Sequence, residues 1–199
     1  DKILHLNKEQ RKSFCDGATA TVNTLYNHPS IVYWTVFNEG WGQFDSANMY
    51  DFAKNLDTGR IIDTASGWFK QEKTDVESEH VYFKPIKIKK SGKPIVLSEF
   101  GGYSYKPEGH VMNPHNTYGY RFFKKQSDFM DALEALYNNE VIPLVEKGLC
   151  ATVYTQVSDV EDETNGLVTY DRKHCKVNKE RVQKLSRKIY ETFAEVAKD

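Results

Sequence analysis

"SIVYWTVFNEGWGQ", residues 30–43, poses the question on which the fold turns. From Ile31 to Phe37 every residue is β-branched or aromatic, and the run leads straight into Asn38-Glu39-Gly40-Trp41. A continuous apolar run of this length reads as a strand buried on both faces, the kind that parallel sheets contain. Burying a carboxylate is costly, so a charge at the tip of such a strand needs a purpose.

Working outward, four more segments read as strands: "RIIDTA" at 60–65, "EHVYF" at 79–83, "KPIVLSEF" at 93–100 and "LCATVYTQ" at 149–156. Helices are predicted between and around them. The first runs from Lys8 to Tyr26, opened by the capping-box pair Asn7 and Gln10 and broken by "NHPS", where Pro29 cannot continue it. Others are predicted over Ser46 to Leu56, over Thr117 to Lys147 with Pro143 disturbing the end, and over Asn178 to Ala197. Strands alternating with helices or loops argue for an α/β fold with a parallel sheet and right-handed crossovers. The loop from Gly101 to Asn116 is long and rich in Gly, Pro, Tyr and His, and long ordered loops in small domains often carry function.

The chain has 199 residues, a net charge of −1, and is 39% hydrophobic and 13% aromatic, enough for one domain with a real core. A near-neutral balance argues against a nucleic-acid partner, which calls for a basic excess. No apolar run approaches the roughly 20 residues that span a bilayer, and nothing favours a membrane partner. The three cysteines, Cys15, Cys150 and Cys175, form no C-x-x-C pair, so neither a metal site nor a disulfide framework is expected. Free thiols suit a reducing compartment, which favours the cytoplasm.

Two strands end in a carboxylate with small residues following: Phe37-Asn38-Glu39-Gly40 and Ser98-Glu99-Phe100-Gly101-Gly102. The C-terminal end of parallel barrel strands is where catalytic groups collect. Two carboxylates at one mouth are what glycoside hydrolysis needs, one protonated to release the leaving oxygen and one ionised to attack or to activate water. The plainer reading is that each glutamate only caps the element after it. That reading suits one such glutamate better than two, each with glycine behind it and with Trp41 and Trp68 on nearby loops.

The blocks "NHPSIVYWTVFNEGWGQ", "RIIDTASGW", "KPIVLSEFGG" and "VYTQVSDVEDETNGLVTYDRK" resemble the catalytic barrel of glycoside hydrolase family 2, which includes β-galactosidases, β-glucuronidases and β-mannosidases. The resemblance implies a (β/α)8 TIM-barrel type of which this chain holds strands four to eight, that is, residues 1–199 as a partial catalytic barrel domain of a larger glycoside hydrolase. It implies a retaining exo-β-glycosidase, with β-galactosidase the leading assignment, a carbohydrate substrate and no cofactor. Glu39 would be the acid/base, Glu99 the nucleophile, and Asn38 would bind the sugar 2-hydroxyl. Tyr82 would hydrogen-bond the nucleophile, with His80 near the mouth unless it is a structural histidine. Tyr154 and Gln156, on strand eight, would lie beside the sugar or else pack the barrel interior. Trp41 and Trp68 would be sugar platforms or simple loop packing. The acidic run Asp159, Glu161, Asp162 and Glu163 lacks a regular calcium-loop spacing and reads as a solvated or capping loop. A catalytically inert fragment or a carbohydrate-binding relative that has lost catalysis is the alternative. With strands one to three absent, strands four and eight would each offer an open edge, to be covered by a second copy of the chain or by the missing N-terminal part of the same enzyme.

Overall fold

Asn7 opens helix α1 (Lys8–Leu25) as the capping pattern predicts: its Oδ1 accepts from the Gln10 amide at 2.9 Å, and the Gln10 side chain accepts from the Asn7 amide at 3.0 Å. The structure, a computed structural model, describes residues 7–198. They fall into two units. The first holds the described residues up to His80 together with Ser91–Val96. The second holds Val81–Lys90 and the described residues from Leu97 onward.

In the first unit, β1 (Tyr33–Asn38) pairs parallel to β2 (Ile61–Ser66), in a register that sets Tyr33 beside Ile61 and Asn38 beside Ser66. Helix α2 (Ser46–Leu56) is the crossover between them. Phe37, Phe44, Met49 and Ala65 form a buried cluster with Phe14 from α1, whose ring stacks on Phe37 at 5.3 Å. β3 (Glu77–Val81) follows, and the Glu77 amide donates to the Pro94 carbonyl just ahead of β4 (Ile95–Gly101).

One ion pair ties the unit's connections together. Arg60 donates to Asp57 at 2.6 Å and to the carbonyls of Ile31 at 2.6 Å and Tyr26 at 2.7 Å. It therefore holds the "NHPS" loop, the end of α2 and the start of β2 at once. Trp34 Nε1 also donates to Asp57, at 3.0 Å. Burial by itself pushes the Asp57 carboxyl up. The hydrogen bonds from Trp34, Arg60 and the backbone of Gly59 and Arg60 outweigh it and hold the group at about 2.

In the second unit the end of β4 lies beside β7 (Leu149–Thr155). Two three-residue strands, β5 (Tyr103–Tyr105) and β6 (Arg121–Phe123), pair parallel with each other. Helix α3 (Gln126–Leu136) runs through a π-helical turn at Tyr137–Val141 into the short α4 (Ile142–Val145), with Pro143 near its start. The closing helix α5 (Lys179–Val196), capped by Asn178, packs Leu185 against Met130 and Leu133 of α3. Arg181 clamps the same two helices, donating from Nε to Glu134 at 2.8 Å.

Two expectations are corrected. The helix predicted over Thr117 to Lys147 begins at Gln126, because the backbone before it is taken by neighbours. The Tyr118 carbonyl, which a helix would offer to the Phe122 amide, accepts instead from the Thr164 amide at 3.2 Å, and Arg121–Phe123 is paired with β5. The first strand is not buried on both faces. Only Phe37 is buried, and Val32 is 66% exposed. Among the described residues β1 has a single strand neighbour, β2, and no strand pairs with its other edge.

Arg60→Ala should cost about 3 kcal/mol at neutral pH, since it strands the buried Asp57 charge. Asp57 titrates below the ordinary carboxylate range, so its ionised form stabilises the fold above that range, and the contribution is lost as pH falls toward 2. Urea unfolding of both proteins should therefore give a gap that is widest near pH 7 and closes on acidification.

Candidate active site

The chain turns sharply where β1 ends. Glu39 sits at φ 54 and Gly40 at φ 81, and the Trp41 amide donates back to the Asn38 carbonyl at 3.1 Å. The left-handed backbone at a non-glycine residue is strained, and it persists only where its surroundings fix it. Three contacts do so. The Glu39 amide donates to the Ser66 carbonyl at 3.0 Å, and Ser66 Oγ donates to Asn38 Oδ1 at 2.6 Å. The Phe69 ring lies so close over Gly40 that a Cβ there would meet it at 2.2 Å. Glycine after the carboxylate is thus a clearance requirement.

The Glu39 carboxylate is held by His80, whose Nδ1 lies 2.7 Å from Oε1. The imidazole is buried, with its side chain only 1% exposed, against 15% for Glu39. Room for the ring comes from Gly67 at φ 79, where a Cβ would sit 2.6 Å from His80 Nδ1. A second buried carboxylate stands in the same unit. Asp63 accepts from the Tyr33 hydroxyl at 2.6 Å. Burial pushes its carboxyl up, opposed by hydrogen bonds from Tyr33 and Ser78 and by the charge of His80.

In the second unit Glu99 is held by Tyr82, whose hydroxyl donates to Oε2 at 2.6 Å and lies 3.0 Å from Thr155 Oγ1. Burial, then the bond to Glu99, drives the Tyr82 phenol well above its ordinary value. Gly101 at φ 85 leaves space for the Tyr154 ring, and Gly102 at φ 61 for those of Tyr120 and Tyr82. The Gly-Gly that follows this second glutamate answers the same requirement as Gly40.

The other sequence candidates separate. Trp41 and Trp68 are 60% and 56% exposed on the turns that follow β1 and β2, aromatic faces open to solvent. Tyr154 packs with Phe100 at 5.6 Å, edge to face, and with Tyr137, on the side of β7 turned toward α3 and α5. Burial raises its phenol. Successive strand residues point to opposite faces, so Thr155, not Tyr154, is the β7 residue that reaches the Tyr82 hydroxyl. Gln156 is committed to a loop, donating to Glu163 Oε2 at 2.6 Å and Asn165 Oδ1 at 2.8 Å. In the acidic run, Asp159 pairs with the fully buried Lys176 at 2.6 Å, and Asp162 accepts from Asn113 at 2.8 Å. Both Asp63 and Thr155 were missed in the sequence. The alternation along β7 carried the signal for Thr155, whereas "RIIDTA" gives no sign that its aspartate is buried.

Gly67→Ala should force the His80 ring away from Glu39 and cost about 2 kcal/mol, from the positive φ as well as the clash. Thermal melting measures the cost. Gly92→Ala, at a positive φ but with open space around it, should pay the backbone part alone.

Residues 2–190 match the family model described as "Glycosyl hydrolases family 2, TIM barrel domain". A β-galactosidase of Priestia megaterium (strain DSM 319 / IMG 1521) is 31% identical over 99 residues, covering 46% of this chain and 10% of the relative. The β-galactosidase large subunit of Leuconostoc lactis is 34% identical over 77 residues, covering 37% of this chain and 12% of the relative. Among solved structures, the β-D-glucuronidase of Dictyoglomus thermophilum matches with a TM-score of 0.60 at 14% identity, over 91% of this chain and 36% of that one. The β-glucuronidase of Parabacteroides merdae matches with a TM-score of 0.60 at 14% identity, over 85% and 26%. At these identities the structural likeness speaks for the fold. The aligned part spans about a tenth of the curated relatives' length.

Proposed function

We propose, from the premise that this chain belongs to glycosyl hydrolase family 2 as its TIM barrel domain, that it supplies both catalytic carboxylates of a retaining exo-β-glycosidase, with β-galactosides as the leading substrates. Residues 1–199 would be part of the catalytic barrel of a larger enzyme, corresponding to its strands four to eight. The observation that supports this most is the matched treatment of two strand-end glutamates. Glu39 follows β1 and Glu99 lies near the end of β4, each precedes a glycine of positive φ or a Gly-Gly pair, and each carboxylate is held by a ring, His80 for Glu39 and Tyr82 for Glu99.

In this reading Glu99 attacks the anomeric carbon while Glu39, protonated, gives its proton to the departing glycosidic oxygen. A covalent glycosyl–Glu99 ester results. Glu39, now ionised, takes a proton from water, which attacks the same carbon, breaks the ester and returns both groups to their starting states. Tyr82 steadies the nucleophile through Oε2, His80 holds the acid/base through Oε1, and Asn38 meets the sugar 2-hydroxyl. Trp41 and Trp68 offer exposed faces on which a sugar ring can rest. Retention asks for carboxyl groups about 5–5.5 Å apart, whereas inversion asks for about 6.5–9.5 Å.

The test is a panel of nitrophenyl glycosides on the full-length enzyme that contains this chain, with β-D-galactoside expected to turn over fastest. Glu99→Ala should abolish turnover of every substrate. Glu39→Ala should slow poor leaving groups by about 10²–10⁴-fold, spare good ones in the first step, and regain part of its rate with azide, which replaces base-assisted water. If both variants respond alike to leaving group and azide, the two roles have been misassigned.

A further inference from the structure

Tyr82 is held at its hydroxyl by Glu99 and Thr155, but a hydroxyl alone does not fix the plane of a ring. The plane is fixed by Tyr120, which lies face to face with Tyr82, centroids 3.9 Å apart and planes 12° from parallel. Phe83 closes on the Tyr120 ring edge-on at 4.7 Å. The backbone is arranged to permit the stack. The Tyr120 amide donates to the Gly102 carbonyl at 3.0 Å, and the Gly102 amide donates to the Thr155 carbonyl at 3.0 Å. A Cβ on Gly102 would meet Tyr120 at 2.3 Å and Tyr82 at 3.2 Å. Beside the two rings opens a cavity of about 280 Å³, lined also by Phe83, Tyr103 and Arg121. The space next to Tyr82 is therefore not filled by other side chains that could replace Tyr120 as its support.

We propose that Tyr120 is a positioning residue for the nucleophile: by stacking on Tyr82 it aims the phenol at Glu99, so that the segment between β5 and β6 controls the catalytic carboxylate. The inference rests on the reading of Glu99 as the nucleophile. It gives the long loop after β4 a task, since that loop carries the chain from Gly101 to the ring. It also accounts for the second glycine of Gly101-Gly102, which clears the stack while its own amide and carbonyl link β7 to Tyr120. Aromatic pairs favour offset-stacked or edge-to-face arrangements, so the stack selects one orientation of the Tyr82 ring among several.

The test places 3-fluorotyrosine at position 82 alone, in the full-length enzyme, and follows its fluorine resonance against pH. Glu99 and Tyr120 are the titratable neighbours whose charge bears on that phenol. Tyr120→Phe keeps the stack and removes only the charge of the second phenol, the smallest of the influences on Tyr82, so it should lower the midpoint only slightly. Tyr120→Leu keeps apolar bulk but loses the flat face, and should lower the midpoint by about one pH unit or more as the phenol drifts from its buried bond. Its melting temperature should stay close to that of Tyr120→Phe. Glu99→Gln, as a control, should lower the midpoint by removing the adjacent charge. A Tyr120→Leu titration identical to that of the parent overturns the inference, as does a Tyr120→Phe shift equal to that of Tyr120→Leu. Glycosidase activity does not enter the measurement, so the inference can fail while the assignment of Glu99 stands.

Discussion

A half-buried carboxylate at or near the end of a strand gives up water and needs hydrogen bonds in its place, and that constraint shapes the packing around Glu39 and around Glu99. Two short bonds meet it: 2.7 Å from His80 to Glu39 and 2.6 Å from Tyr82 to Glu99. The donors are large rings, and a ring that reaches a strand tip must pass close to backbone. Side chains at 40, 67, 101 and 102 would stand in the path of Phe69, His80, Tyr154 and Tyr120 respectively. Those four positions are glycine, and all four have positive φ. At Glu39-Gly40 the glycine lets the Phe69 ring close over the turn that carries the carboxylate.

Much of this was legible in the sequence, because the signals were local. β-Branched and aromatic runs marked the five main strands to within a few residues, and Asn7 and Asn178 marked two helix starts. The strand-end glutamates and Tyr82 stood out through blocks of residues that match a family pattern. What stayed hidden depends on partners far along the chain. The segment before Gln126 has helix-compatible composition, yet Tyr118 and Tyr120 are hydrogen-bonded to residues 162 and 102. Thr155 looks ordinary until Tyr82 is placed beside it. Asp63 lies beside Thr35 of β1 and accepts from the Tyr33 hydroxyl, and no local pattern reports its burial.

The acidic run after β7 shows the opposite error that charge alone invites. Asp159 is buried against Lys176, whose Nζ also donates to the Thr164 carbonyl at 2.8 Å, and burial pulls the lysine below its usual range while the aspartate partner opposes that pull. Gly166 passes so close that a Cβ would meet the Asp159 amide at 2.2 Å. These charges shape a loop, and the loop in turn holds Gln156 through Glu163 and Asn165. A buried pair of this kind contributes definition more than net stability, since each partner gives up water to enter it.

The central claim is that Glu99 becomes covalently attached to the sugar. The most direct measurement incubates the full-length enzyme with a 2-deoxy-2-fluoro-β-glycosyl fluoride of the sugar it turns over, digests the trapped protein and locates the adduct by peptide mass spectrometry. The account predicts one added fluoroglycosyl group, on Glu99 in the segment "KPIVLSEFGG". An adduct on Glu39, or on any carboxylate other than Glu99, would contradict it.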